Sequence, residues 1–218
     1  MPTPSCKELN DMINSLKSRI TKLEEENKTK DETIVELQEK NTILETRINQ
    51  VDQYVKRMNL RIYGVEVKVD RKGKPVAEKE EEVMKIVQEC HKEVGVDLKE
   101  NSILRAHRIG KPTKLATGKT VQPIIVRFKD WRSRCALYRA RPTMSKPIEK
   151  KSFKTIGQDV TKFNLDLLDK AKDFVKNDPG ANYACADINC NLVVNMKNGT
   201  FHHFSSVSDL NRIFKKTG

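Results

Sequence analysis

Arg61, Tyr63, Arg105, Arg108, Arg127, Arg132, Arg134, Arg139 and Arg141 are the side chains whose types and crowding point to a chemistry. A guanidinium is a planar fork of N–H donors that matches phosphate oxygens two at a time and lies flat on nucleobases, so such a set beside a tyrosine suits a polyanion that carries rings. Residues 101–157 hold 15 Lys and Arg against only Asp130 and Glu149. Ordinary surfaces intersperse both signs, so this excess reads as a field for nucleic acid or an anionic membrane surface.

The remaining reactive types carry less. Cys185, Cys190, His202 and His203 invite a zinc site, but a four-residue gap between the cysteines and two adjacent histidines pointing to opposite faces of a strand bring no more than three ligands together. Hairpin packing is the expectation, with no metal and no cofactor. The chain has no P-loop, Gly-x-Ser-x-Gly or paired metal carboxylates, and His107 reads as a strand residue beside arginines, so no catalytic residue is expected and the chain is read as a non-enzyme. Five scattered cysteines give no disulfide framework. Without a basic-then-apolar leader or an apolar run near the ~18 residues of a membrane span, the sequence predicts a soluble, intracellular protein with no integral membrane association.

The elements that must position the arginines begin with a long helix. At alternating steps of four and three from Leu9, apolar residues recur through Ile13, Leu16, Ile20, Leu23, Ile34, Leu37, Leu44, Ile48, Val51, Val55 and Met58, with Asn27, Lys30 and Asn41 as polar interruptions. A strict period of 3.5 over about seven heptads predicts a parallel coiled coil across residues 1–58, because so narrow a stripe is not buried by one chain. Branched residues at a, Leu at d, and Asn27 and Asn41 at a favour two strands. The spacing of Arg19, Ile20, Leu23 and Glu24 instead matches three-stranded coils, and a homotrimer is expected, with a homodimer the alternative. Up to Met58 the chain has 10 basic and 11 acidic residues, which leaves 32 against 19 for the rest. The basic excess therefore lies wholly downstream of the stalk.

After the stalk the period becomes two. Leu60 and Ile62 alternate with Arg61 and Tyr63. A helix follows through Val83, Val87 and Cys90, a strand over 103–109, a loop over 110–120, a strand over 123–128, a short helix capped by Asp130, and a fourth strand between Ile148 and Ile156. Strand, helix, strand, strand, helix, strand is the split βαβ order of RNA-recognition modules, here at 59–157. Pro-Ile-Ile-Val-Arg-Phe cannot present the paired aromatics of a sequence-reading third strand. Contacts to the backbone of single strands, tolerant of sequence and sensitive to salt, are therefore expected. Residues 158–218 predict a helix opened by Asp159, strands joined at the Asn198-Gly199 turn, and a last helix opened by Ser206 and Asp209. The fold class is α+β.

The runs Arg57-Met58-Asn59-Leu60-Arg61-Ile62-Tyr63-Gly64-Val65, Ile103-Leu104-Arg105-Ala106-His107-Arg108-Ile109-Gly110 and Pro123-Ile124-Ile125-Val126-Arg127-Phe128 resemble the RNA-binding protein of the first open reading frame of LINE retrotransposons. The likeness weakens beyond Lys150, where the chain is similar to the baculovirus few-polyhedra protein family. Arg139-Ala140-Arg141 stands where the retrotransposon family usually has Ala-Ala-Arg. The resemblance implies a trimeric coiled coil, an RNA-recognition module and a C-terminal domain that together package single-stranded RNA, or DNA, and act as a nucleic-acid chaperone. It implies ribonucleoprotein particles in the cytoplasm, with the nucleus as a second compartment, and RNA contact at Arg57, Arg61, Arg105, Arg108, Arg127, Arg139 and Arg141. A viral structural adaptor working through protein or membrane partners is the alternative.

Overall fold

The computed structural model describes residues 5–71, 73–142 and 152–215. It is a mixed α+β protein, with five α-helices and antiparallel sheets among those residues. Contacts divide the chain into two units, Met1–Ile48 and Asn49–Gly218.

Helix α1 (Cys6–Lys56) opens on a reciprocal cap in which Ser5 N donates to Glu8 Oε2 at 2.7 Å and Glu8 N donates to Ser5 Oγ at 3.4 Å. Its heptad residues stay in solvent: Leu9, Ile13, Leu16, Ile20, Leu23, Ile34, Leu37, Leu44, Ile48 and Val51 are between 44% and 67% exposed. The helix also bears an i, i+4 pair, Glu36 with Lys40, on an exposed face.

In the second unit, β1 (Asn59–Tyr63), β2 (Ile103–Arg108), β5 (Ile124–Phe128) and β6 (Thr155–Gln158) form one antiparallel sheet in the order β2-β5-β1-β6. Alternation decides which side of it is covered. Leu60, Ile62, Ala106, Ile124, Val126, Phe128 and Ile156 are buried. With Val83, Val87 and Cys90 of α2 (Glu80–Glu93) and Leu137 of α3 (Trp131–Arg139), they make one core. Burial pushes the Cys90 thiol up to about 11, as expected of a core residue. Asp130 caps α3, its Oδ1 accepting from Ser133 N at 2.8 Å. The fourth strand runs later than its expected span, as β6, and residues 148–151 of that span lie outside the described residues.

Two short strands, β3 (Thr113–Lys114) and β4 (Thr120–Val121), pair in the segment expected to be a loop. The C-terminal part folds as α4 (Lys162–Asn177), β7 (Ala181–Ala186), β8 (Leu192–Met196), β9 (Phe201–Phe204) and α5 (Val207–Lys215). The sheet order is β7-β8-β9, over a core of Leu167, Leu168, Ala171, Val194, Phe204 and Leu210. Helix α4 starts at Lys162, not at Asp159. Thr161 is its cap, accepting from Asn164 N at 3.2 Å, because the Asp159 carboxylate is taken by Arg61 and Asn59. Ser206 Oγ accepts from Asp209 N at 3.1 Å and Asp209 Oδ2 from Ser205 N at 3.0 Å, so the expected polar cap opens α5.

Gly64 ends β1 with φ +76°, and a Cβ there would meet Lys154 Cβ at 2.5 Å. Both the backbone and the close approach require glycine. Gly64→Ala is expected to lower the unfolding free energy by about 3 kcal/mol, combining the strain of a non-Gly residue at positive φ with a steric clash. Urea titration followed by circular dichroism checks it.

Candidate nucleic-acid interface

The side of the four-stranded sheet facing away from α2 and α3 carries the alternate residues. Register fixes their neighbours. Arg105 stands opposite Arg127, and Arg127 opposite Asn59. One pair along, His107 stands opposite Ile125, Ile125 opposite Arg61, and Arg61 opposite Gly157, with Tyr63 opposite Thr155. Gly157 leaves room for the tyrosine ring, since a Cβ there would lie 3.0 Å from Tyr63 Cε2. A recess of about 420 Å³ opens on this face, lined in part by Arg61, Tyr63, Ile109, Pro123, Ile125 and Asp159.

The arginines on this face differ in freedom. Arg127 is exposed and makes no ion pair among the described residues. Arg105 lies 3.6 Å from Glu80 with both side chains largely in solvent, a contact worth little and readily exchanged for a phosphate. Arg61 is held more firmly: its Nε and Nη2 reach Asp159 Oδ1 at 2.7 and 2.6 Å, and Asp159 is 2% exposed at its side chain. Asn59 Nδ2 donates to the other carboxylate oxygen at 2.8 Å. This pair sets the angle at which the guanidinium meets the open face.

A polar chain ties the same corner to the end of α1. Gln53 Nε2 donates to Asp159 O at 3.0 Å, and Gln53 Oε1 accepts from Thr161 N at 3.0 Å and Asn164 Nδ2 at 3.1 Å. Asn49 Nδ2 donates to Asn164 Oδ1 at 2.8 Å, and Thr161 Oγ1 donates to Asn49 Oδ1 at 2.6 Å. Every one of these partners is matched, so the network is a specific latch rather than a loose polar contact. Beside it lies a groove of about 1040 Å³ whose lining includes Tyr54, Arg57, Trp131, Asn189, His203 and Arg212. The Arg57 guanidinium lies over the Tyr54 ring at 3.6 Å, and its buried Nε has no hydrogen-bond partner among the described residues.

Two expected phosphate ligands have other work. Arg108 points to the covered side of the sheet and uses all five N–H donors internally. Nε and Nη2 reach Glu78 at 2.9 and 3.3 Å, Nη1 donates to Val65 O and Gln122 O, and Nη2 also donates to Glu66 O. Arg134 is fully buried. Its Nη1 donates to Ile188 O at 2.7 Å and its Nη2 contacts Cys190 Sγ at 3.5 Å. The guanidinium also lies near the rings of Trp131 and Tyr138, at 4.9 and 5.1 Å. It joins α3 to the turn before β8. Burial raises the Cys190 thiol pKa, which favours the neutral thiol over the thiolate beside this cation.

Arg132 and Arg139 are exposed on α3. Arg141 lies over Tyr138 at 3.8 Å and donates to Tyr138 O at 2.7 Å. These last residues border the face of the C-terminal sheet opposite its core, where Tyr183 pairs with Asn195 and Asn195 with Phe201, and Cys185 pairs with Val193 and Val193 with His203; Val193 and Asn195 are buried in the middle of that face. Arg139, Arg141, Cys185, Phe201 and His203 share a recess of about 430 Å³. Tyr183 and Phe201 are 49% and 57% exposed. On sequence alone they are hairpin residues. The pairing of β7 and β9 with β8 is what assigns Tyr183, Phe201 and His203 to one face. Exposed rings bordered by guanidinium groups have the makeup of a stacking platform for bases.

Among the described residues no group of three or more His, Cys, Asp or Glu is placed to hold a metal ion, and no helix is long and apolar enough to cross a membrane. Compared with models of known protein families the chain matches none, and comparison with curated proteins gives no significant match.

Proposed function

We propose that this chain is an oligomeric, sequence-tolerant binder of single-stranded nucleic acid with packaging and chaperone activity, of the kind encoded by the first open reading frame of LINE retrotransposons. The observation that carries the reading is the sheet face turned away from α2 and α3, on which the strand registers place Arg61, Tyr63, Arg105 and Arg127 side by side. The order β2-β5-β1-β6, with both helices on the opposite side, supports an RNA-recognition module in particular, whose nucleic acid lies on that kind of face. The heptad stripe of α1, exposed along its length in one chain, supports a parallel trimer. On this reading the strand crosses the open face, meets the guanidinium groups of Arg139 and Arg141, and stacks bases on Tyr183 and Phe201. Arg57 marks a second approach near the end of α1.

Fluorescence anisotropy with a labelled single-stranded RNA at physiological salt tests it. Arg105→Gln and Arg127→Gln are each expected to weaken binding about 5-fold, roughly 1 kcal/mol, almost equally across sequences, because they contact backbone rather than base edges. Unchanged affinity in the double variant sinks the reading. If RNA is lost at physiological salt while a protein or a membrane fraction is retained, the viral adaptor reading takes its place.

A further inference from the structure

Two glycine-turned hairpins leave the sheet side by side. In the first, Val69 bridges Pro75, Asp70 N donates to Lys74 O at 2.8 Å, and Gly73 turns with φ +75°. The second is β3–β4, where Leu115 N donates to Lys119 O at 2.8 Å and Gly118 turns with φ +83°. Val67 N donates to Thr120 O and Gln122 N to Val65 O, each at 2.9 Å, so the two pair into one ribbon with both turns at the same end. Arg108 grips the root of this ribbon through Val65 O, Glu66 O and Gln122 O.

The ribbon carries Lys68, Arg71, Lys74, Lys111, Lys114 and Lys119, all exposed, against Glu66 and Asp70. Glu66 is paired with Lys119 at 2.8 Å, and Asp70 Oδ1 accepts from Lys74 N at 2.8 Å within the turn. Lys68, Arg71, Lys111 and Lys114 make no ion pair among the described residues. Residues 66–77 and 110–122 contain no Phe, Tyr, Trp or His. Such a surface has charge and fixed geometry but no aromatic ring on which a base can stack.

We infer that this ribbon is a second nucleic-acid site, and that it takes double-stranded rather than single-stranded nucleic acid. Single-strand affinity leans on ring stacking of about 1–3 kcal/mol per base, which the ribbon cannot supply. What remains is phosphate attraction, which grows with charge density. A duplex offers one charge per ~1.7 Å of axis, about twice that of one of its strands alone. A ribbon fixed at its root also loses little freedom on meeting a rigid phosphate lattice. A bilayer-binding hairpin would present Trp, Phe or clustered Leu at its turns, and these turns do not. Lys68, Arg71, Lys111 and Lys114 lie outside the recess that Arg105 and His107 share with Val67, Pro75 and Pro112 at the root of the ribbon, so the inference is tested apart from the single-strand reading.

The test is the full-length variant K68Q/R71Q/K111Q/K114Q, whose changed side chains are all on the surface. Its affinity for a short blunt duplex is expected to fall at least ~10-fold, and the slope of log affinity against log salt to drop by about 0.9 for each phosphate contact removed, while affinity for a single-stranded oligonucleotide stays within ~3-fold. Unchanged duplex affinity and slope overturn the inference, and so does an equal loss on both probes. Loss of binding to phosphatidylserine vesicles with duplex binding intact overturns it in favour of a membrane surface. The R105Q/R127Q double variant, measured beside it, should lose single strand and keep duplex. If that variant fails to lose single strand, only the sheet reading is lost.

Discussion

Deleting residues 1–48 is expected to leave a folded head whose affinity for a long single strand is lower by ~100-fold or more than that of the full chain. The head by itself offers a few exposed guanidinium groups, and each phosphate contact made in water is weak. In the proposed trimer, heads tethered on one rod would turn every contact after the first into an intramolecular event at millimolar effective concentration, so affinity would multiply without any new contact. The deletion point matters. Asn49 and Gln53 are bonded to Thr161, Asn164 and Asp159, and the compact unit begins at Asn49, so a cut nearer Met58 would remove part of the head's own polar network. Anisotropy with a strand long enough to reach all heads, compared with one long enough for a single head, checks the mechanism. The difference between the two proteins should vanish on the short strand. Equal affinity on the long strand refutes avidity.

Arg108→Gln is expected to destabilise the head by about 3–5 kcal/mol, whereas Arg127→Gln leaves stability within about half a kcal/mol. Glu78 is 4% exposed at its side chain, and removing Arg108 strands its carboxylate together with the carbonyls of Val65, Glu66 and Gln122. A buried charge without its partner costs far more than the pair contributed when intact. Replacing both partners with methionine should recover much of the loss, because no buried charge is then left alone. Urea midpoints for the single and double variants decide the matter. A single variant as stable as the parent would mean that Arg108 is free to bind a ligand after all.

That contrast marks where sequence reasoning reached and where it stopped. Arg61, Tyr63 and Arg127 were assignable because β1 and β5 alternate without a fault, and burial of Leu60, Ile62, Ile124, Val126 and Phe128 leaves their neighbours on the open side. On β2 the register shifts between Ile103 and Arg105. Arg105 and Arg108, three residues apart, fall on opposite faces of a regular strand; the bulge places Ile103 on the same side as Ala106 and so decides that Arg108 is the one turned inward. No periodicity rule sees such a shift in advance. Arg134 left a clue: it falls three residues after Trp131 and four before Tyr138 on a short helix, the spacing of a residue sandwiched on one face. Crowding with other arginines masked that clue. Asp159 was read as a helix opener because a carboxylate before an apolar run usually is one. The partner that claimed it, Arg61, is 98 residues away in the chain, and pairings of that range are decided by tertiary packing. The β3–β4 hairpin was hidden for a different reason, since two-residue strands between glycine and proline carry too few alternations to register as strands.

The C-terminal sheet repeats the lesson in miniature. The Asn198-Gly199 turn and the Ser206 cap are local chemistry and were visible, but Tyr183 and Phe201 became candidate stacking residues only when β8 brought them to either side of Asn195.

The central claim is that α1 gathers several basic heads. It is tested most directly by the mass of the full-length protein in dilute solution after nuclease treatment, measured by sedimentation equilibrium. The account predicts a particle of three chains of 25.1 kDa each. A particle of two chains would keep the avidity argument and move the stalk to the two-stranded form that Asn27 and Asn41 favour. A single 25.1 kDa species would contradict the account.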